Sequence, residues 1–327
     1  MAGTEHRDHP LRFVVAGAGA LGSAFGGMLR LGGHDVALLG RNAGHMRAVA
    51  ERGLRISGLW GERVAEGLRV LGSPGEIGDA DYVLVTTKSF DTASIVAEVA
   101  PHAPGAKFVT LQNGLGNLEA VEARVGPGRA IGGMVIIGFE IARPGEVRVT
   151  VIGGDVLVGR PGTPEDAAPD AETKLLADAL SAAGIPARTT ANIEGAIWGK
   201  VLYNCALNAL GAVLGVPYGD LAAPPAWAII EDVVREAFAV ARAEGVRLPW
   251  AEPEAYLEVL ASRQLPATAA HRSSMLQDLE RGRRTEIDHL NGAVARLGAE
   301  REIPTPVNAT LAALVRSREE RKPRAGA

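Results

Sequence analysis

Short apolar runs alternate with helical patterns over the first half of the chain. Runs with the length of buried strands occur at residues 11–16, 35–39, 82–87 and 107–111. Between them, apolar side chains recur at helical spacing, as in residues 21–29 before the stop signal Gly32-Gly33 and in residues 43–52. This alternation predicts a parallel sheet with helices on both faces.

The pattern changes in two steps after residue 130. Three β-rich segments come first and are expected to extend the sheet at one edge, namely residues 135–137, 147–152 and 156–158. Beyond about residue 190 we predict no strand, and the helical patterns cover residues 191–215, 226–245, 253–262, 268–281, 285–299 and 307–318. The sequence therefore predicts an α/β fold, with a doubly wound parallel sheet in residues 1–189 and an all-helical domain in residues 190–327.

The apolar stretch at residues 13–29 has a second interpretation, as a signal peptide or a membrane span. It is rich in glycine, is closed by Arg30 and lacks a signal-cleavage pattern, so we favour a strand followed by a helix. Residues 1–10 are interpreted as a polar leader, and the charged residues after 316 as a frayed tail.

Composition narrows the class of protein. With 34 Lys+Arg against 38 Asp+Glu, the net charge of −4 offers no general attraction to nucleic acid or to anionic membranes. Cys205 is the one cysteine in the chain, which excludes an intrachain disulfide and fits a reducing compartment. We expect a cytoplasmic protein with no nucleic-acid or membrane partner, and the histidine spacing predicts no metal site. The oligomeric state stays open, with a homodimer among the alternatives.

A Gly-x-Gly-x-x-Gly pattern lies between the first predicted strand and helix. Its residues are Gly17, Ala18, Gly19, Ala20, Leu21 and Gly22. The first glycine allows a tight turn, the second lets backbone approach a pyrophosphate, and the third permits close packing of helix on strand. The free N–H groups at the helix start favour phosphate. The pattern predicts a dinucleotide site in a Rossmann-type sheet, and a glycine-rich turn without a ligand is the alternative.

The end of the second strand indicates which dinucleotide binds. An NAD site commonly has an acidic residue there for the ribose 2′-hydroxyl. This chain has Arg41 instead, whose planar cation suits a 2′-phosphate, and no carboxylate lies at the strand end to repel that phosphate. We therefore predict NADP(H), although a solvated arginine would have the same sequence.

Two further turns follow later strands, at the edge where open α/β sheets bind ligands. Lys88 follows Thr86-Thr87, and Asn113 lies in Leu111-Gln112-Asn113-Gly114. Lys88 could contact a cofactor phosphate or ribose, and Asn113 could contact the nicotinamide ribose or the substrate. Both segments are also ordinary turn sequences, so the two interpretations stay open.

The helix predicted at residues 191–215 carries Lys200, Asn204 and Asn208 at spacing i, i+4, i+8. Each step rotates the side chain by about 40°, so the three form one polar stripe on an otherwise apolar helix. A buried lysine and two buried amides are costly unless they are paired or used. We interpret the stripe as chemistry rather than as a solvated face.

A second polar cluster lies at residues 273–288. Thr285 and Asp288 have the spacing of a capping box, which predicts a helix break near Gly282 and a helix start near Glu286. A negative charge is favoured there, so Glu286 could serve the helix alone. Ser274 could likewise be only a helix-entry hydroxyl, and both residues stay open on these grounds.

Together these motifs resemble the ketopantoate reductase (2-dehydropantoate 2-reductase) family over residues 11–318. The resemblance rests on the glycine turn, Thr87-Lys88 and residues 111–114, and above all on Trp198-x-Lys200-x-x-x-Asn204-x-x-x-Asn208, Ser273-Ser274-Met275-x-Gln277-Asp278 and Gly282-Arg283-x-Thr285-Glu286-Ile287-Asp288. It implies NADPH-dependent reduction of 2-dehydropantoate to (R)-pantoate, for pantothenate and coenzyme A synthesis.

The resemblance also implies roles for matching residues. Lys200 would protonate the keto oxygen of the substrate, and Glu286 would orient that lysine or bind the nicotinamide ribose. The substrate would be held by Asn204, Asn208 and Ser274, with Asn113 near the nicotinamide, and the adenosine end would be held by Arg41 and Lys88. Burial would lower the pKa of Lys200 and Glu286 would raise it, so the net direction stays open.

Two positions depart from the family pattern. Val149 stands where many members carry a histidine, and Phe139-Glu140-Ile141 is atypical. We expect both at the sheet edge near the site, where they bear on the exact substrate. They leave open a reductase of another 2-oxo acid, or of an imine, with the same catalytic lysine. A nucleotide-sensing or partner-binding protein that has lost turnover is a further alternative, and the intact set Lys200, Asn204, Asn208, Ser274 and Glu286 argues against it.

Overall fold

The computed structural model describes residues 9–126 and 128–321. Backbone contacts divide the described chain into two compact units. The first contains residues up to 112 together with 117–193, and the second contains 113–116 together with the residues from 194 onwards. The domain boundary between residues 189 and 190 stays a prediction, because a compact unit need not be a domain that folds alone. Most of the expected leader and the last six residues of the tail lie outside the described residues.

The strands of the first unit are β1 Arg12–Ala16, β2 Asp35–Leu39, β3 Leu54–Gly58, β4 Arg63–Ala65, β5 Arg69–Leu71, β6 Tyr82–Val85, β7 Lys107–Thr110, β8 Ala130–Met134, β9 Ile137–Arg143, β10 Glu146–Ile152, β11 Val156–Gly159 and β12 Ala187–Thr189. Eight of them form one sheet in the order β12-β11-β8-β7-β6-β1-β2-β5. All neighbours in this sheet run parallel except β8 and β11. The predicted α/β class is confirmed.

Helices bury both faces of this sheet. They are α1 Ala20–Leu31, α2 Ala43–Arg52, α3 Thr92–Val99, α4 Asn117–Val125 and α5 Ala171–Ala182. Successive side chains of a strand point to opposite faces. In β1, Phe13 and Val15 therefore join the apolar cluster around α1, whereas Val14 and Ala16 join the cluster around α3 and α4. A strand buried on both sides is a continuous apolar run, which is why its pattern was readable.

The prediction that residues 135–137 and 147–152 extend the main sheet is wrong. Residues 147–152 lie in β10 of a separate four-stranded sheet ordered β4-β3-β10-β9. Residues 135 and 136 lie between β8 and β9, and residue 137 begins β9 of that separate sheet, whereas β11 does extend the main sheet as predicted. β10 pairs in parallel with β3, far away in sequence, and antiparallel with β9. Periodicity identifies a strand but not its partner. The short strands β3, β4, β5 and β12 were not predicted at all.

Helix α1 packs between the two sheets through glycines. A Cβ on Gly26 would lie 2.7 Å from the Leu38 side chain in the main sheet, and a Cβ on Gly27 would lie 2.8 Å from the Leu54 side chain in the small sheet. Residues 13–29 are therefore the strand and helix at the centre of this unit, as the favoured interpretation predicts.

The helices of the second unit are α6 Ile193–Leu214, α7 Pro224–Ala243, α8 Pro253–Val259, α9 Leu265–Ala267, α10 Ser274–Glu280, α11 Asn291–Glu300 and α12 Pro306–Glu320. No strand occurs among its described residues, as predicted. Of the described helices, α6 alone is long and apolar enough to cross a membrane, but 67% of its most apolar window is buried, and core helices of soluble proteins pass the same test.

Two predicted helices begin later than expected. α10 begins at Ser274 rather than at residue 268, because the Ser273 hydroxyl accepts from the Leu276 N–H at 3.0 Å and so caps the helix there. The predicted capping box is wrong, since the Thr285 hydroxyl accepts from the Ile287 N–H at 3.2 Å instead. Residues Ile287–His289 form a 3₁₀ turn and α11 starts only at Asn291.

The predicted break near Gly282 is confirmed. Gly282 has φ +63°, and the Arg283 N–H donates to the Asp278 carbonyl at 2.8 Å. The Gly282 N–H donates to the Leu279 carbonyl at 3.1 Å. Together with the left-handed conformation of Gly282, these two bonds form a Schellman motif at the end of α10. The prediction that the residues after 316 are frayed is wrong for those that the structure describes, because α12 continues to Glu320.

Candidate active site

The glycine turn of the first unit lies where β1 passes into α1. The N–H groups of Gly17 and Ala18 both donate to the Leu39 carbonyl at 2.9 Å, and the Thr86 hydroxyl donates to the Gly17 carbonyl at 2.8 Å. Gly17 has φ +114°, which L-residues with side chains rarely adopt. The ends of β1, β2 and β6 are thus held together around this turn.

The three glycines are needed for different reasons. A Cβ on Gly17 would lie 2.5 Å from the Thr87 nitrogen, and one on Gly22 would lie 2.5 Å from the Gly17 carbonyl oxygen. A Cβ on Gly19 would meet only the Gly17 carbonyl oxygen, at 3.9 Å. Protein packing therefore requires Gly17 and Gly22 but not Gly19. The room left at Gly19, which caps α1, fits the close approach of a pyrophosphate.

Arg41 follows β2 and forms an ion pair with Asp91 in the 3₁₀ turn Ser89–Asp91. The Arg41 side chain is 84% exposed, so most of it is accessible. The expectation that no carboxylate lies at this strand end is wrong, because Asp91, which is 50 residues further along the chain, pairs with Arg41 there. Lys88 immediately precedes the same turn and is half-buried.

A buried hydrogen-bond network holds that turn. Asn117 accepts from the Thr92 hydroxyl at 2.7 Å and donates to the Ser89 hydroxyl at 3.3 Å. Gln112 donates to the Thr92 hydroxyl at 2.7 Å, while its own side-chain oxygen is buried without a partner among the described residues. The sequence gives no sign of this network, since polar residues in turns carry no signal of which distant turn they bind.

In the second unit, Lys200, Asn204 and Asn208 form the predicted stripe along α6. Asn204 and Asn208 are buried and Lys200 is half-buried. Burial lowers the pKa of Lys200 from 10.5 to about 8, against the opposing effect of the Glu286 charge. The direction that the sequence left open is therefore downward, because desolvation of the ammonium outweighs the nearby carboxylate.

Neighbouring segments hold the Asn208 side chain and the α6 backbone around this stripe. The Tyr218 hydroxyl donates to the Asn208 side-chain oxygen, and the Ser273 hydroxyl donates to the Asn208 carbonyl at 3.3 Å. Asn291 donates to the carbonyl of Cys205, one residue beyond Asn204, at 3.1 Å. Tyr218 and Asn291 were missed from the sequence, where each looks like an ordinary core or turn residue.

Glu286 is buried immediately before the 3₁₀ turn Ile287–His289, and this turn binds the segment that contains Asn113. The Leu115 N–H donates to the His289 carbonyl at 2.8 Å, and His289 Nδ1 donates to the Leu115 carbonyl at 3.0 Å. Gly114 has φ +83°, and a Cβ there would lie 2.4 Å from the His289 carbonyl oxygen. A glycine at 114 thus allows the two turns to meet.

The remaining predicted residue, Ser274, is the exposed first residue of α10, and its neighbour Ser273 forms the cap. Each unit thus carries part of the predicted set. The glycine turn, Arg41 and Lys88 lie in the first unit, and the second unit contains Lys200, Asn204, Asn208, Ser274, Glu286 and Asn113. Among residues 9–126 and 128–321, no cluster of three or more His, Cys, Asp or Glu could hold a metal ion.

Two family models match the chain. Residues 13–162 match the model described as Ketopantoate reductase PanE/ApbA, and residues 192–319 match Ketopantoate reductase PanE/ApbA C terminal. A curated 2-dehydropantoate 2-reductase of Halobacterium salinarum is 38% identical over 94% of this chain and 98% of its own length.

Solved structures give the same relationship. A PanE/ApbA family ketopantoate reductase from Ralstonia eutropha JMP134 superposes with a TM-score of 0.84 at 36% identity, covering 95% of this chain and 99% of that one. A ternary structure of D-mandelate dehydrogenase with NADH and anilino(oxo)acetate superposes with a TM-score of 0.82 at 28% identity, again covering 95% and 99%.

Proposed function

The chain belongs to the ketopantoate reductase family, and we propose that it reduces 2-dehydropantoate to (R)-pantoate with NADPH, in pantothenate and coenzyme A biosynthesis. The observation that carries the proposal is the α6 stripe, in which a half-buried lysine of lowered pKa is followed by two buried amides. A cation beside two amide groups suits a small anionic substrate with a reducible carbonyl.

Lys200 is the proposed acid. NADPH, when bound, supplies the hydride that the carbonyl carbon receives. Negative charge then builds on the keto oxygen, and the Lys200 ammonium stabilises that charge and transfers a proton to the oxygen. A pKa of about 8 keeps most of the lysine protonated at neutral pH yet makes it a readier donor than an ordinary lysine.

Glu286 is the proposed partner of Lys200. Its negative charge raises the pKa of the lysine against the effect of burial, so it helps to retain the proton until the substrate needs it. Glu286 also stands at the start of the turn that hydrogen-bonds Leu115, so one segment supports both Glu286 and the loop that contains Asn113. We assign Asn113 to the nicotinamide ribose or the substrate.

The substrate carboxylate and hydroxyl are assigned to Asn204, Asn208 and Ser274. The Asn208 side-chain oxygen already accepts from Tyr218, so its amide N–H groups are the ones available to an anion. The nucleotide is assigned to the first unit, where residues 17–22 receive the pyrophosphate. Arg41 and Lys88 serve the adenosine end.

A second candidate keeps the lysine and changes the substrate to another 2-oxo acid. The similarity to D-mandelate dehydrogenase favours it, because that relative was solved with anilino(oxo)acetate. The atypical residues Val149 and Phe139 do not lie at the main-sheet edge as expected. They pair with each other in the small sheet, where Phe139 packs on Trp60, so they give this candidate no support.

The test is NADPH oxidation with ketopantoate, compared with a panel of other 2-oxo acids and with NADH. We expect a kcat/KM for ketopantoate of at least about 10⁴ M⁻¹s⁻¹, ordinary for an enzyme on its own substrate. Turnover of a different oxo acid alone would transfer the proposal to the second candidate. Tight NADPH binding without any turnover would favour the nucleotide-sensing alternative.

We also propose a cytoplasmic location, as expected for an enzyme that acts on small metabolites with a soluble nucleotide. Light scattering of the purified protein distinguishes a monomer from the homodimer that the sequence leaves open.

A further inference from the structure

The ion pair between Arg41 and Asp91 lies at the position where a dinucleotide site distinguishes its cofactors. An arginine there suits a 2′-phosphate, whereas an acidic residue accepts hydrogen bonds from ribose hydroxyls and repels that phosphate. This chain has both, one at the end of β2 and one from the turn after β6.

The pair is more than two flexible side chains meeting in solvent. The turn that carries Asp91 is held on both sides of it, since Asn117 binds the side chains of Ser89 and Thr92. Its backbone is fixed as well, because the Asp91 N–H donates to the Lys88 carbonyl and the Asp91 carbonyl accepts from the Ser94 hydroxyl, both at 2.9 Å.

The backbone on the Arg41 side is equally fixed. Gly17 and Ala18 bind the Leu39 carbonyl, and Asn42 caps α2 by accepting from the His45 N–H at 3.2 Å. The Asp91 side chain is only 21% exposed, whereas that of Arg41 is 84% exposed. The carboxylate is thus a fixed feature beside a guanidinium that remains open to a ligand.

We propose that Asp91 is a specificity-determining residue which lowers the preference of this nucleotide site for NADPH over NADH. The proposal rests on the proposed dinucleotide site. Asp91 neutralises part of the Arg41 charge and repels a 2′-phosphate that shares the same guanidinium. When the 2′-position carries a hydroxyl, the same carboxylate can accept its hydrogen bond.

Asp91→Asn removes the negative charge and keeps the shape of the side chain. Calorimetric titration of the purified protein with NADPH and with NADH, at low salt and without substrate, gives the two dissociation constants. We expect the ratio of the NADH constant to the NADPH constant to rise about tenfold, mainly through tighter NADPH binding. The gain should shrink at high salt, because exposed charges are screened.

Three variants serve as controls. Asp79→Asn makes the same change in an exposed aspartate paired with Arg12 at the amino-terminal end of β1, away from the glycine turn at its other end, and should leave the ratio within about twofold. Asp91→Glu retains the charge and should keep the wild-type ratio within about threefold. Arg41→Ala should lower the ratio by about tenfold, since it removes the phosphate partner.

An unchanged ratio in Asp91→Asn would overturn the proposal, whether neither affinity changes or both change by the same factor. Absence of binding by either nucleotide would overturn it together with the proposed dinucleotide site. Because no 2-oxo acid is present in the titration, an error in the proposed substrate would leave the ratio unaffected, and the two failures are thus distinguishable.

Discussion

The two units present their candidate residues in different ways. In the first unit the glycine turn offers backbone N–H groups at the start of α1, and its shape depends on the absence of side chains. In the second unit the α6 stripe offers side chains, and its properties depend on burial and on a nearby carboxylate. The shape of a glycine turn is determined by steric limits on the backbone, whereas the reactivity of a side chain such as Lys200 is determined by its electrostatic surroundings.

The largest expected effect tests the α6 stripe of the second unit. Lys200→Ala should lower kcat by about 10²-fold or more, because it removes the proposed proton donor, while NADPH affinity stays within about twofold. Lys174→Ala, which removes an exposed lysine from α5, is the matched control and should leave kcat unchanged. Near-normal turnover of a folded Lys200→Ala protein would remove this residue from the mechanism.

The next effect separates the roles of two glycines in the glycine turn of the first unit. Gly17→Ala should lower the free energy of unfolding by at least about 2 kcal/mol, because its φ is +114° and its Cβ would overlap the Thr87 backbone. Gly19→Ala should change that free energy by less than about 1 kcal/mol yet weaken NADPH binding about tenfold. Thermal unfolding and calorimetric titration of both variants give the four numbers. Equal loss of stability in the two variants would contradict the distinction.

A smaller effect tests the electrostatics of α6. The pKa of about 8 for Lys200 predicts that kcat for reduction falls as the pH rises through that value and the acid loses its proton. Glu286 raises this pKa, so Glu286→Gln should move the basic limb of the kcat profile to lower pH. An unmoved limb would show that the Glu286 charge does not act on the group that titrates. Profiles are normalised to their plateaus, which separates the shift from any loss of activity.

The smallest effect concerns stability in acid and returns to the first unit. His45 is buried, accepts from the Gly145 N–H at 3.1 Å through Nδ1, and has its pKa lowered by burial. Because the unfolded chain takes up a proton near pH 6.5 and the folded chain only at lower pH, stability should fall as the pH drops below about 6.5. His45→Gln should flatten this slope, and exposed His102→Gln should not. Urea unfolding between pH 5 and about 7 measures both slopes.

Sequence patterns identified the elements whose surroundings are uniform. Strand β1 is buried on both faces and α6 is apolar on most sides, so both leave a strong local pattern. The glycine turn was also readable, because φ +114° at Gly17 restricts the residue type regardless of the rest of the chain.

Patterns failed where the outcome depended on a distant partner. β10 was recognised as a strand but assigned to the wrong sheet, because its neighbour β3 is far away in sequence. The Thr285 capping box had the correct spacing, yet the Thr285 N–H donates to Glu319 at 2.6 Å and its hydroxyl binds Ile287. Tertiary contacts therefore determined how that local motif folded.

The sequence by itself determined the α/β class, the helical second half, the glycine turn and the one-sided placement of Lys200, Asn204 and Asn208. These follow from periodicity and from local steric limits, which act over a few residues. Only the tertiary structure decided that Asp91 pairs with Arg41, that a separate small sheet covers α1, and that the pKa of Lys200 falls to about 8. Charge pairing, strand partnership and desolvation depend on distances in space, and a linear pattern does not contain those distances.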